Sequence, residues 1–175
     1  MNHEEFESIV ASLIGETIVS VSYFEIAYEN NKQMWSYDPE YDSLDYGLDL
    51  VMESGKTKGI IWGNEFYQYG VSINSASLSA ELKGVRKINV SKNSRWQNLI
   101  GEEIITAKVM WSWVKESGLF KPKVYYPQDL ELSFSGNRKV YISALDIQEK
   151  KPTPTSDNLV VFFNREEARK YGVEA

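Results

Sequence analysis

The chain contains the stretch Leu13-Ile14-Gly15-Glu16-Thr17-Ile18, which returns 86 residues later as Leu99-Ile100-Gly101-Glu102-Glu103-Ile104. A second pair of similar stretches follows in the same order, residues 48–55 and then residues 129–136. Two matches in the same order indicate a duplicated unit of helix, strand and hairpin. Chance similarity between short stretches rich in Leu, Ile and Gly is the alternative interpretation.

Residue patterns around these stretches predict the elements of each unit. Apolar residues recur at helical spacing after Asn2, a capping residue that Glu5 complements, and residues 94–101 predict a shorter second helix. A long strand then follows each helix, at residues 17–28 and 103–114, because both segments are rich in β-branched and aromatic residues.

Alternating apolar residues on both sides of two glycine-containing turns predict hairpins. The turns lie at Gly55 and Gly136, where glycine can adopt the positive φ of a tight connection. A closing helix is predicted to begin at Asn164, with Glu167 completing its capping box. The predicted return and closing strands are residues 59–62, 66–73, 139–147 and 159–163. These patterns predict an α+β fold, dominated by antiparallel strands with a few short helices.

The two predicted units differ in charge. Residues 1–82 hold 14 acidic and 3 basic side chains, whereas residues 83–175 hold 11 acidic and 16 basic ones. A chain of 175 residues is typical of one domain, so we expect the halves to form one compact body. Its predicted core contains Leu13, Ile14, Ile18, Val21, Leu50, Met52, Ile60, Leu99, Ile100, Ile104, Leu132, Phe134 and Ile142.

Composition excludes several kinds of chemistry. The chain has no cysteine, and its single histidine, His3, lies at a predicted frayed N-terminus. Thiolate metal sites, cysteine nucleophiles and histidine-based triads are therefore excluded, and no phosphate-loop or serine-hydrolase motif is present. We expect a non-catalytic protein-binding module without cofactor. A carbohydrate-binding or structural β module is the alternative, and a glycoside hydrolase that uses two carboxyl groups is a weaker one.

The segment 35–46 combines aromatic and acidic residues at high density. Aromatic side chains offer large contact areas with few rotatable bonds, and carboxylates select cationic partners. We therefore predict an acidic aromatic loop that binds a basic protein. The predicted partner-binding residues are Trp35, Tyr37, Asp38, Glu40, Tyr41, Asp42, Asp45 and Tyr46.

The same segment suggests two other interpretations. Asp38, Glu40, Asp42 and Asp49 fall at positions 1, 3, 5 and 12 of a calcium-loop count. However, Ser43 replaces the glycine at the turn position, so we predict no metal site. A glycosidase pair would first be sought among the carboxyl groups of Asp38, Glu40, Asp42 and Asp45, although nothing in the sequence singles out two of them.

A second aromatic cluster interleaves with lysines, which is a pattern that single-stranded nucleic acid can bind. The acidic net charge of −6 disfavours nucleic acid, and Trp111 and Trp113 lie two apart on a predicted strand, as in ordinary sheet packing. We therefore predict packing and no nucleic-acid partner. The cluster consists of Trp111, Trp113, Phe120, Tyr125 and Tyr126, with Lys115, Lys121 and Lys123.

Two further stretches, residues 126–132 and 162–173, give the chain a resemblance to immunity-type proteins encoded beside bacterial polymorphic toxins. The resemblance implies a protein that binds and blocks a basic toxin or nuclease domain, and it specifies no site residues. No apolar run reaches the length of a membrane span, and residues 1–7 are acidic where a signal peptide is basic. We therefore expect a cytoplasmic location and no membrane partner.

Overall fold

The computed structural model describes residues 1–27, 38–115 and 122–173. Helix α1 spans His3–Ala11, and helix α2 spans Arg165–Lys170. The strands are β1 (Ile18–Ile26), β2 (Tyr41–Leu44), β3 (Gly47–Met52), β4 (Thr57–Gly63), β5 (Gly70–Asn74), β6 (Val85–Asn89), β7 (Ile104–Lys115), β8 (Lys123–Phe134), β9 (Lys139–Ser143), β10 (Leu145–Gln148), β11 (Lys151–Pro154) and β12 (Leu159–Phe162). A 3-10 turn spans Leu78–Ala80.

These strands form two five-stranded antiparallel sheets and one small hairpin. The first sheet has the order β5-β4-β3-β1-β6, and the second has the order β2-β12-β9-β8-β7. Strands β10 and β11 pair with each other in a two-stranded sheet. The predicted α+β fold with mainly antiparallel strands is confirmed.

The two Leu-Ile-Gly turns lie side by side and exchange equivalent hydrogen bonds. The Gly15 amide donates to the carbonyl of Ile104 at 2.9 Å, and the Gly101 amide donates to the carbonyl of Ile18 at 2.8 Å. Both glycines have a positive φ, of 84° and 85°. Each following strand then contains a register irregularity at the same place, after Ile18 in β1 and after Ile104 in β7. Descent of the chain from a duplicated unit stays a prediction.

Each half of the chain contributes one strand to the other half's sheet. Strand β6 pairs with β1 in the first sheet, although it follows residue 82. Strand β2 pairs with β12 in the second sheet, although it lies in the first half. A division of the chain at residues 82 and 83 therefore does not coincide with the division between the sheets.

One apolar core joins both sheets and α1. It includes Phe6 of α1, Leu50 of the first sheet and Leu132 of the second, each at most 2% exposed. The predicted core residues are buried with two exceptions. Ile14 is 47% exposed, because it sits in the turn after α1, and Ile100 is half-buried in the equivalent turn.

A second, smaller core lies on the other face of the second sheet. Residues Tyr141, Val160 and Phe162 of that face pack against Ala168 and Tyr171 at the C-terminal end of the chain. We call this side of the second sheet its outer face. Helix α2 and the β10–β11 hairpin belong to this side, because Leu145 of β10 joins the same cluster.

Several local predictions were wrong. Residues 94–101 form turns instead of a helix, and β5 is confined to Gly70–Asn74. Asn164 caps α2 by accepting a hydrogen bond from the Glu166 amide, so the N-terminal contact differs from the predicted capping box. His3 is not frayed, because its ring stacks on Trp111 with ring centroids 4.0 Å apart.

Candidate functional site

Part of the predicted acidic aromatic loop forms strand β2 at an edge of the second sheet. Trp35 and Tyr37 lie outside the described residues. Asp38 accepts a hydrogen bond from the Glu40 amide at 2.9 Å, which turns the chain into β2. Tyr41 begins the strand and packs against Tyr171 with ring centroids 5.4 Å apart. Residues 38–46, which we call the acidic segment, are thus an ordered sheet edge.

Asp42 is the buried charge of this segment. It has no exposed surface, and it accepts hydrogen bonds from Arg95 at 2.7 Å and from the Tyr23 hydroxyl at 2.8 Å. The Trp96 indole in turn donates to the Tyr23 oxygen at 2.5 Å. Burial raises the pKa of Asp42 to about 6, although the Arg95 charge opposes that rise. Asp42 therefore belongs to an internal ion pair and does not face solvent.

Glu40 is paired at the surface with the C-terminal helix. Its carboxylate accepts hydrogen bonds from Lys170 at 2.5 Å and from the Tyr171 hydroxyl at 2.7 Å. These two donors hold the pKa of Glu40 below its ordinary value of 4.5. Arg95 also donates to the backbone oxygens of Asp38 and Pro39, so both Arg95 and Lys170 hold the start of the acidic segment in place.

The end of the acidic segment is hydrogen-bonded to β1. Asp45 accepts a hydrogen bond from the Ile26 amide at 2.9 Å, and the Tyr46 amide donates to the Phe24 carbonyl at 3.3 Å. The neighbouring Glu25 is only 3% exposed. Burial, together with the Asp45 carboxylate, raises the pKa of Glu25 to about 9, so this carboxyl group is protonated at neutral pH.

The carboxyl groups of the acidic segment therefore have partners inside the protein. The structure brings Asp38, Glu40, Asp42 and Asp45 together at one edge of the second sheet, where a binding loop was predicted. It leaves less free negative charge there than the composition indicates, because Arg95 and Lys170 approach from distant parts of the chain.

A second candidate site is a groove on the outer face of the second sheet. It consists of two adjoining cavities of about 310 and about 150 Å³ that share Ser112, Trp113, Gln128, Asp129 and Gly172. The walls of the larger cavity come from β7, β8, the β10–β11 hairpin and the C-terminal segment. Its apolar and aromatic lining consists of Trp113, Val114, Tyr126, Leu145, Pro152, Pro154 and Tyr171. We call this site the outer groove.

A bulge in β8 builds the polar floor of the outer groove. Met110 pairs with Asp129 and Trp111 pairs with Pro127, so Gln128 is the extra residue. A bulge interrupts the alternation of side chains between the faces of a strand, and here the consecutive residues Gln128 and Asp129 both line the groove. The bulge therefore brings an amide and a carboxylate to one place.

The floor residues are held by hydrogen bonds. The Tyr126 hydroxyl donates to the Gln128 side-chain oxygen at 2.6 Å, and the Gln128 amide donates to the Ala144 carbonyl at 2.6 Å. Ser143 donates a short hydrogen bond to Asp129. All these side chains are more than nine-tenths buried, so the floor is positioned before any ligand arrives.

Two exposed aromatic residues lie on the strand pair β7–β8, which also contributes residues to the outer groove. Trp113 of β7 and Tyr125 of β8 are directly paired across the strands, and they are 49% and 46% exposed. The Lys123 ammonium lies 3.5 Å from the centroid of the Trp113 ring. Sheet packing explains Trp111, which is half-buried between His3 and Phe66, but it does not explain Trp113. Phe120 and Lys121 lie outside the described residues.

No protein-family model, curated protein sequence or solved structure matches the chain. Among residues 1–27, 38–115 and 122–173, no helix is both long and apolar enough to cross a membrane. Within the same ranges, no three or more acidic or histidine side chains are grouped as metal ligands would be. The geometry of the chain itself must therefore support any functional proposal.

The outer groove was missed at the sequence level, although its residues were noted individually. The sequence places Tyr126 and Trp113 in the aromatic cluster assigned to packing, and it predicts no site at Gln128 or Asp129. One signal was available, because Pro127 interrupts β8 at a position where proline is compatible with a bulge. The contributions of Pro152, Pro154 and Tyr171 depend on tertiary packing and have no such signal.

Proposed function

We propose that the chain is a non-catalytic protein-binding module that binds and neutralises a basic protein, as immunity-type inhibitors do. The observation that carries this proposal is the exposed cross-strand pair Trp113 and Tyr125, on the two strands that also contribute to the outer groove. Exposed tryptophan and tyrosine side chains are typical of the energetic centre of a protein interface. The paired strands β7 and β8 hold both side chains in place before binding.

Charge supports a basic partner. The net charge of −6 attracts cationic proteins over distances of about a Debye length, about 8 Å at physiological salt. The acidic segment adjoins the groove through Tyr171, which bonds to Glu40 and also lines the larger cavity. The proposed contact surface therefore runs from the acidic segment across Tyr171 to the outer groove.

The burial of the strongly shifted carboxyl groups supports a non-catalytic role. Asp42 has no exposed surface, and Glu25 is 3% exposed. A glycosidase needs two carboxyl groups that reach the same sugar. In the described conformation Asp42 is instead bound to Arg95 and Tyr23, which is typical of a structural ion pair.

One observation favours a second candidate function, carbohydrate binding. The larger cavity is lined by aromatic residues together with Gln128 and Asp129, and sugars bind through stacking on aromatic rings together with hydrogen bonds to polar side chains. The two candidates differ in their response to salt. Association with a basic protein slows as salt rises, whereas binding of a neutral sugar does not.

The experiment tests whether the chain binds and neutralises one candidate partner protein. The chain is expressed together with the product of an adjacent reading frame, and growth, complex stoichiometry and association rate against salt are measured. We expect restored growth, a stoichiometric complex and slower association at high salt. Absence of a complex, together with salt-independent binding on a glycan array, would replace this proposal with the carbohydrate-binding one.

A further inference from the structure

We propose that the free edge of β7 binds an extended, acidic segment of another protein, which adds a strand to the second sheet. Among the described residues, β7 has a strand neighbour on one side only, and its 12 residues make it the longest edge strand of the two large sheets. The other edge strands, β2, β5 and β6, have four or five residues. The contact at residues 107–111 is separate from the outer groove, so the inference goes beyond the proposed function.

The first sheet shows how such a strand can pair. Strand β1 begins as β7 does, because equivalent hydrogen bonds surround Ile18 and Ile104 and a register irregularity follows each of them. However, β1 has a neighbour on both sides, since β6 pairs with it antiparallel along residues 22–26. Counted from Ile104, the corresponding stretch of β7 is residues 108–112. An added strand is therefore expected to lie there, in the place that β6 takes beside β1.

The same comparison shows which backbone groups of β7 are available. The Val21 carbonyl accepts a hydrogen bond from the Val90 amide at 2.9 Å, on the β6 side of β1. Ala107 corresponds to Val21, and backbone groups alternate in direction along a strand, so those of Ala107 and Val109 point to the free edge. Within residues 1–27, 38–115 and 122–173, no strand or turn pairs with that side of either residue. Unpaired donors and acceptors of this kind are what an extended peptide binds.

A cavity beside this edge selects an apolar side chain. In the first sheet, Ile88 of β6 lies opposite Tyr23, which corresponds to Val109, and it packs against the apolar core. The residue of an added strand that lies opposite Val109 would enter the cavity in the same way and remove apolar surface from water. Glu7, the acidic residue of the cavity wall, is already bound by the Trp111 indole at 3.0 Å. The cavity has a volume of about 300 Å³ and is lined by Glu7, Val10, Ala107, Lys108 and Val109.

Lys108 selects an acidic residue beside the apolar one. Lys108 is exposed and forms no ion pair with any residue of the described ranges. Its cross-strand neighbour Glu131 is instead bound by Lys139 at 2.7 Å. In an antiparallel pair, the residue that follows the one opposite Val109 lies opposite Lys108, and opposite charges in such a position attract. The edge therefore fits an apolar residue followed directly by an acidic one.

The test uses an extended heptapeptide, acetyl-TVTIEVT-amide, whose isoleucine and glutamate can lie opposite Val109 and Lys108. Its control is the same peptide with N-methylated isoleucine, which keeps the side chains but loses the N–H that pairs with Val109. Each peptide is titrated into the ¹⁵N-labelled full chain to about 10 mM, because one short strand binds weakly. We expect saturable shifts of the Ala107 and Val109 amides and at least tenfold slower hydrogen exchange of both with the first peptide. The N-methylated peptide should leave both amides unchanged.

A lysine variant connects the binding to charge. Lys108→Gln removes an exposed charge without removing the edge, and we expect it to bind acetyl-TVTIEVT-amide severalfold more weakly. It should bind the neutral peptide acetyl-TVTIQVT-amide as the unmodified chain does. Lys151→Gln is the matched control, because Lys151 is an exposed lysine on β11. We expect this control to bind both peptides like the unmodified chain.

Four results would overturn the inference. Equal binding of the N-methylated and unmodified peptides would exclude strand pairing, and equal binding of acetyl-TVTIEVT-amide by Lys108→Gln and the unmodified chain would exclude an acidic partner. Absence of shifts at the highest concentration would exclude the site. Slow exchange of the Ala107 and Val109 amides without peptide would show that the edge is already covered, by a second copy if the protection increases with protein concentration and by the chain itself if it does not.

Discussion

The acidic segment and the outer groove both involve strands of the second sheet, but they are assembled differently. In the acidic segment, Asp42 and Glu40 are bound by Arg95 and Lys170 of the same chain. In the outer groove, Gln128 and Asp129 line a cavity to which β7, β8, the β10–β11 hairpin and the C-terminal segment contribute. The comparison teaches that a high density of carboxylates in sequence can stabilise a fold through partners within the chain, whereas a concave site forms where separate elements pack beside one another.

The largest expected effect comes from removing the cation of the acidic segment. Arg95→Ala leaves Asp42 as a buried charge without its ion pair, which typically costs about 3–5 kcal/mol. We expect this loss in urea unfolding at pH 7 and a smaller loss at pH 5. The reason is that losing Arg95 raises the pKa of Asp42 above its present value of about 6, so acid neutralises the carboxyl group.

The control for this variant is Lys56→Ala, which breaks an ion pair whose lysine is 64% exposed. Pairs at the surface contribute about 1 kcal/mol or less. Equal losses for Arg95→Ala and Lys56→Ala would show that Asp42 is not a structural charge, and the contrast between the two regions would fail.

The next effect concerns Glu25, beside the acidic segment. Its folded-state pKa of about 9 lies above its ordinary value of 4.5, so the folded chain binds one more proton than the unfolded chain between these values. The stability that this group contributes is complete below pH 4.5 and declines until the pH passes 9. Each pH unit in that window costs about 1.4 kcal/mol.

We therefore expect Glu25→Gln to gain stability relative to the unmodified chain as pH rises. The measurement is urea unfolding of both proteins at several pH values, and the difference between pH 6 and pH 8 should be about 3 kcal/mol. Parallel pH profiles for the two proteins would contradict the assignment of a protonated Glu25.

A third effect separates the exposed pair Trp113 and Tyr125 from the rest of the surface. Trp113→Ala and Tyr125→Ala should each cost about 2 kcal/mol of binding to the partner, or about thirtyfold, mainly through faster dissociation. Val19→Ala is the control, because Val19 is 41% exposed but belongs to the first sheet. Surface plasmon resonance measures both rates, and an effect of Val19→Ala equal to that of Trp113→Ala would contradict an anchor at this pair.

The smallest effect is expected at the surface of the acidic segment. Glu40→Gln removes one partly exposed charge that Lys170 already neutralises, so association with a basic partner should slow less than about threefold. Its folded pKa is lowered, so its contribution to stability is present above pH 4.5 and is lost as pH falls through the lowered value. A tenfold slower association would instead indicate that the acidic segment lies at the centre of the interface.

The local elements of this chain follow from short stretches of sequence. Strand β1, the two hairpins and the cap of α1 are determined by alternation, by turn glycines and by Asn2 with Glu5. These features act between residues that are close in sequence. A few neighbouring residues are therefore enough to determine each of these features, and together the features predict the α+β class.

Sheet order and the environment of charges were decided by tertiary structure. The alternation of apolar and polar residues does not determine which strands pair, so the sequence did not predict the pairing of β2 with β12 or of β6 with β1. Arg95 reaches Asp42 from 53 residues away, and Lys170 reaches Glu40 from 130 residues away. The outer groove likewise joins segments from β7, β8, β11 and the C-terminal end, because a cavity exists only where separate elements pack beside one another.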